Sequence, residues 1–155
     1  MSYRIEGLAA ERFSDLFGLD EAALAERGAV RLRADSERGF ACRVSLDYAA
    51  PGESVLLLNH ISNDVPTPYR TAYAIFVRER AAEAPPFVDR LPPVLEARLL
   101  SLRAFDGAGM LRTALLAEPG EAEERIAALF EDGEVVSIHA HTPAYGCFLA
   151  RIERN

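Results

Sequence analysis

The chain has no lysine, no glutamine and no tryptophan. Without lysine there can be no Gly-Lys phosphate loop and no Schiff base on an amine side chain. Every one of the 17 basic residues is arginine, and with 24 acidic residues the net charge is −7. That sign excludes non-specific nucleic-acid binding, which needs a cationic surface to release counterions from phosphates. It also disfavours docking on an anionic membrane. Long apolar runs are missing: the longest aliphatic stretch is Val55-Leu56-Leu57-Leu58, against the roughly 18–20 residues of a membrane span. Cysteine is scarce, with only Cys42 and Cys147 and no C-x-x-C pair, which rules out a disulfide scaffold. Residues Met1 to Glu6 lack a basic segment leading into an apolar one, so a cytoplasmic location and free thiols are expected. No G-x-S-x-G, H-E-x-x-H or G-x-G-x-x-G motif occurs, so no cofactor is implied.

Half of the 155 residues are hydrophobic and 26% are charged, the balance of one ordinary globular domain spanning residues 1–155. There are 26 alanines. The Ala-rich, Arg-only composition fits GC-rich coding, so arginine identity at any single position carries little information.

Residue periodicity predicts the elements. A short strand is expected from Tyr3 to Glu6, a helix from Leu8 to Phe17, and a second short helix capped by Asp20 and stopped by Gly28. Alternation predicts strands over Val30–Ala34 and Ala41–Asp47, the latter with Cys42, Val44 and Leu46 on one face and Arg43, Ser45 and Asp47 on the other. Glu53–His60 and Thr71–Arg78 read as further strands, separated by a loop over Ile61–Arg70. A long irregular connection, Arg80–Pro93, holds four of the nine prolines. A hairpin then turns at Asp106-Gly107, a helix follows over Glu121–Glu131, and two strands, Glu134–His141 and Cys147–Ile152, close the chain. The expected fold is α+β: a largely antiparallel sheet, two short N-terminal helices and one longer helix near the C-terminus.

The chemistry-bearing residues cluster near the end. On a strand, Ser137, His139 and His141 share one face, with the histidines about 6.6 Å apart along it. A regular hairpin with a five-residue turn would set His141 opposite Cys147, His139 opposite Leu149 and Ser137 opposite Arg151. A thiol beside an imidazole is the basis of a cysteine nucleophile. The same three residues, His139, His141 and Cys147, could instead ligate zinc. The bland alternative is a solvated polar strand face and a small buried thiol. A second segment, Asn59-His60 with Tyr69 and Arg70, could hold an anionic group through the Arg70 fork. It is equally readable as a stiff surface loop.

Several segments together resemble an uncharacterised bacterial family, domain of unknown function 1203. They are Phe40-Ala41-Cys42-Arg43-Val44-Ser45-Leu46, Val55-Leu56-Leu57-Leu58-Asn59, Thr67-Pro68-Tyr69-Arg70, Ala74-Ile75-Phe76-Val77-Arg78-Glu79, Leu100-Ser101-Leu102-Arg103-Ala104-Phe105-Asp106, and Ile138-His139-Ala140-His141 with Gly146-Cys147. The resemblance implies one full-length domain and no particular activity. The functional expectation is a small-molecule binder or small enzyme, its pocket lined by His139, His141, Cys147 and Arg70, taking a small anionic ligand. The alternatives are an interaction module acting as a homodimer and a zinc-binding protein.

Overall fold

Ser54–Asn63, which contains the longest aliphatic run, is the middle strand of a three-stranded sheet in the computed structural model, which describes residues 1–155. It is β3, flanked antiparallel by β2 (Val30–Arg33) and β4 (Thr71–Arg78). The period of two puts Leu56 and Leu58 of β3 and Ile75 and Val77 of β4 on one face, where they meet Phe13, Leu24, Cys42 and Val44 in the smaller core. His60 and Tyr73, paired across the same two strands, continue that face toward its open end.

The second sheet has six strands, in the order β5 (Phe87–Val88), β1 (Tyr3–Glu6), β9 (Phe148–Arg154), β8 (Ser137–His141), β6 (Leu100–Phe105) and β7 (Leu111–Ala117). All its pairings are antiparallel. One face carries Ile5, Leu100, Leu102, Ala104, Ile138, Ala140 and Ile152. Against it pack Val94, Leu95, Leu46 and helix α2 (Ala122–Leu129), which buries Ala122, Ile126 and Leu129. The C-terminal carbonyls of α2 are taken up by Arg154, whose Nη2 donates to Phe130 O at 2.7 Å and Asp132 O at 3.1 Å. The other face of this sheet meets the three-stranded sheet through Tyr73, His60 and Phe148.

The α+β expectation is overturned. The chain is mostly antiparallel β, nine strands in two sheets, with 13% helix. The expected Leu8–Phe17 helix is two 3-10 turns, Ala10–Arg12 and Ser14–Leu16. Ser14 explains part of this, because its Oγ donates to Glu11 O and competes with the helical ladder. The segment is also tied outward: Ala10 N donates to a Glu83 carboxylate oxygen at 2.7 Å and Gly18 N to Glu79 at 3.1 Å. By contrast α1 (Glu21–Glu26) forms as read, with the Asp20 carboxylate accepting from Ala23 N and Gly28 at φ +69°.

The expected Ala41–Asp47 strand is a tight buried turn. Cys42 N donates to Asp47 O, Leu46 N to Cys42 O, and Leu46 sits at φ +53°. The alternation misleads because both sides of the segment are covered. Cys42 and Val44 enter the smaller core, Leu46 enters the larger one, and Arg43 is also buried. Gly7 makes room for the turn: a methyl there would lie 1.9 Å from Val44 O. Gly7→Ala should therefore destabilise the protein by about 1–3 kcal/mol, read as a lower denaturant midpoint at unchanged m.

Candidate anion-binding cleft

The β8–β9 hairpin is built differently from the regular five-residue turn. Ser137 pairs with Glu153, His139 with Arg151, Ala140 with Ala150 and His141 with Phe148. A bulge between Ala140 and His141 absorbs the extra residue, Leu149. Thr142 to Cys147 form the turn, closed by Thr142 N to Cys147 O and Gly146 N to Thr142 O, each 2.9 Å, and by Cys147 N to Thr142 Oγ1. Cys147 thus stands opposite Thr142 and not opposite His141. Thr142, Cys147 and Leu149 line an outer cleft, while the His141 and Phe148 rings meet inside with centroids 5.8 Å apart. No group of three or more His, Cys, Asp or Glu side chains is arranged to hold a metal, so the zinc reading of His139, His141 and Cys147 has no geometry behind it.

The cleft has a volume of about 230 Å³ and is walled by Arg38, Arg43, Arg98, Thr142, Tyr145 and Cys147 over Ala41, Phe76 and Leu149. No carboxylate lines it, although the protein is acidic overall. The larger concavities all contain acids: Glu96 and Glu123 in one, Glu79 in another, Asp15 and Asp64 in a third. Arg43 forms the floor and is only 4% exposed. Its Nε donates to Phe148 O at 2.7 Å and its Nη1 to Ala41 O at 2.5 Å. Nη2 has no partner in the chain, and no acid pairs with the guanidinium. Burial holds the Arg43 pKa down at about 10, below the usual arginine range. Arg98 touches only the Tyr48 hydroxyl and Val94 O.

A family model described as "Protein of unknown function (DUF1203)" matches residues 39–154. The chain belongs to that family. The DUF1203 match takes in Arg43, Arg98, Cys147 and both β8 histidines; Arg38 and strands β1 and β2 lie before it. No curated protein and no solved structure matches the chain. No helix is long and apolar enough to cross a membrane.

The other sequence-derived candidates fall in different places. Arg70 is exposed and ion-paired with Asp64 at 2.9 Å, and it does not line the cleft. Tyr69 is partly exposed beside it, its carbonyl accepting from Asn63 Nδ2. His139 and His141 are brought together, ring centroids 6.2 Å apart, but in the interior between the sheets. They are 1% and 2% exposed. Phe105 and Phe148 pack on His139, Tyr73 and Phe148 on His141, and His60 reaches Phe148 from β3. Arg103 donates to the Tyr73 hydroxyl at 2.9 Å at the rim of this cluster. Sequence reasoning missed Arg43, because strand alternation set it with Ser45 and Asp47 on the face opposite Cys42, Val44 and Leu46. Its one signal was its place inside the family-like segment Phe40–Leu46.

His141 also braces the cleft. Its Nδ1 lies 2.9 Å from Gly146 O, and a carbonyl only accepts, so Nδ1 carries the proton. The bond pins the turn that bears Tyr145 and Cys147. Nε2 of both His139 and His141 is then left without a partner. Burial pushes His139 down to about 3, helped by Arg151, His141 and Arg103. Burial pushes His141 down to about 4, with the Gly146 carbonyl opposing and Arg103 and Arg43 assisting. His60 is lowered by burial and by Arg12 and Arg43.

These directions fix a pH dependence. The folded protein keeps the imidazoles neutral, whereas the unfolded chain protonates them below about pH 6.5. The unfolded state therefore binds more protons, and stability is full above that pH and falls as pH drops through the mildly acidic range. His139→Leu removes one such site, so the slope of unfolding free energy below about pH 6 should become shallower by about 1.4 kcal/mol per pH unit. Urea midpoints measured across that range check this, and an unchanged slope would contradict it.

Proposed function

We propose that this protein binds a small anion, a carboxylate or phosphate group, in the cleft of Arg38, Arg43 and Arg98. The observation that carries the reading is Arg43: a buried guanidinium with a free edge, no acidic partner, and two further arginines at the same opening. An uncompensated buried charge is costly, and a bound anion offsets that cost. The geometry suits the ligand class. Two of the Arg43 nitrogens are fixed by carbonyls, so the fork is oriented before the ligand arrives, which lowers the entropy lost on binding. Phe76, Leu149 and Tyr145 offer an apolar wall for a short carbon skeleton. The cleft is small beside the roughly 300–1,000 Å³ of drug-sized pockets, which favours a ligand of few heavy atoms. Arg43 takes the role that sequence reasoning gave to Arg70, and His141 serves as a brace for the turn.

Thermal unfolding with inorganic phosphate or succinate, at ionic strength held constant with chloride, tests this. A ligand at about 100 times its dissociation constant should add roughly 2.7 kcal/mol of stability, and Arg43→Met should abolish the gain. Equal melting temperatures in phosphate, succinate and chloride would overturn the proposal.

A further inference from the structure

The cleft holds one group that anion binding alone does not require, the Cys147 thiol. The two cysteines have opposite settings. Cys42 is fully buried, its sulfur accepting from Arg78 N at 3.3 Å. Cys147 is partly buried and lines the arginine cleft. Its backbone is held by Thr142 Oγ1 and its turn by His141. The buried Arg43, with its unpartnered Nη2, lines the same space together with Arg38 and Arg98. Arginine forks beside the sulfur suit the anionic arms of a reagent that the thiolate, the nucleophile of disulfide exchange, attacks.

We propose that Cys147 is a reactive thiol whose substrates are anionic disulfides, held by the arginines for thiol–disulfide exchange. This rests on the anion-binding reading above and names the substrate class for that cleft. In the step, Cys147 loses its proton to solvent and its sulfur attacks one sulfur of the disulfide. A new bond forms between Cys147 Sγ and that sulfur as the substrate S–S bond breaks. The other half leaves as a thiolate with the bonding electron pair. Cys147 is thereby oxidised to the mixed disulfide, and the departing half is reduced. The substrate carboxylates lie on Arg38, Arg43 and Arg98 while the reacting sulfurs align. Cys42 takes no part, because no solvent path reaches it.

The test compares two aromatic disulfides of matched reactivity class. Dithiobis-nitrobenzoate carries two carboxylates, and dithiodipyridine carries none. Each rate on the intact protein is divided by the rate of the same reagent with a small neutral thiol. A cleft lined by charge of one sign raises association with the opposite sign by about 10–10³-fold, so the anionic reagent should show a normalised preference of at least about tenfold. Arg43→Met, and separately the more exposed Arg38→Ser and Arg98→Met, should each lower that preference, read as the ratio of the two normalised rates, because any change in thiolate supply acts on both reagents alike. Cys147→Ser should remove the fast phase for both reagents. Equal normalised rates for the two reagents would overturn the proposal, as would a preference that survives all three arginine variants. Phosphate stabilisation is measured in parallel on Cys147→Ser. If phosphate still stabilises that variant but the native thiol shows no preference, the thiol proposal fails and the anion cleft stands. If phosphate stabilises neither protein, the cleft reading itself fails.

Discussion

One buried cation joins the parts of this molecule. Arg43 sits in the turn between Cys42 and Leu46, which contributes side chains to both hydrophobic cores, and its guanidinium holds Ala41 O on one side and Phe148 O on the other. The first contact shapes the turn, and the second ties that turn to the six-stranded sheet. On the neighbouring backbone, Leu8 N donates to Arg43 O, and Arg43 N donates to Phe76 O. Four segments far apart in sequence thus meet at one residue. A hydrophobic side chain of similar length could fill the space but could not satisfy the carbonyls, and a carboxylate partner would fill the cleft. The requirement for a charged donor without an acidic partner is what leaves the opening electropositive.

The histidine cluster solves a different packing problem. The two sheets meet across Phe148, and neutral imidazoles serve there as flat, small aromatic plates around its ring. The arrangement keeps one hydrogen bond, His141 to Gly146, and leaves two ring nitrogens bare. A buried ring nitrogen left without a partner costs about 1–3 kcal/mol. The result separates two roles that adjacent sequence positions suggest belong together. The histidines lie between the sheets, while Arg43 and Cys147 line the cleft outside the same hairpin.

Much of the β framework was legible in the sequence: burial alternates along Thr71–Arg78 as its residue pattern does, and the Asp20 cap and Asp106-Gly107 turn have local chemical causes. What could not be read was governed by contacts distant in sequence. The 41–47 alternation matches a strand, yet Arg43 is buried along with Cys42, Val44 and Leu46, and the chain turns back on itself there through Leu46 N to Cys42 O. The helix expected over Leu8–Phe17 has suitable spacing, but Leu8 N is held by Arg43 O, Ala10 N by Glu83, and Gly18 N just past the segment by Glu79. Of the site, the β8 histidines and Cys147 were visible as chemical types. Their division between two faces was not, because a single bulge at Ala140–His141 sets the register. The governing arginine was hidden because one arginine among seventeen looks like any other.

The position of β9 governs how the protein reaches this state. It is the last strand in the chain, yet it lies inside the larger sheet, with β8 on one side and β1, the first strand, on the other. Asn155 N reaches back to Ser2 O at 3.0 Å. During synthesis, β1 can pair with β5 and the β6–β7 hairpin with β8, but these two parts of the sheet are joined only when β9 arrives. Contacts of such long sequence separation place folding among the slow, high-contact-order topologies, in which loop closure precedes its reward. Arg43, fixed partly by Phe148 O, acquires its orientation only at that final step.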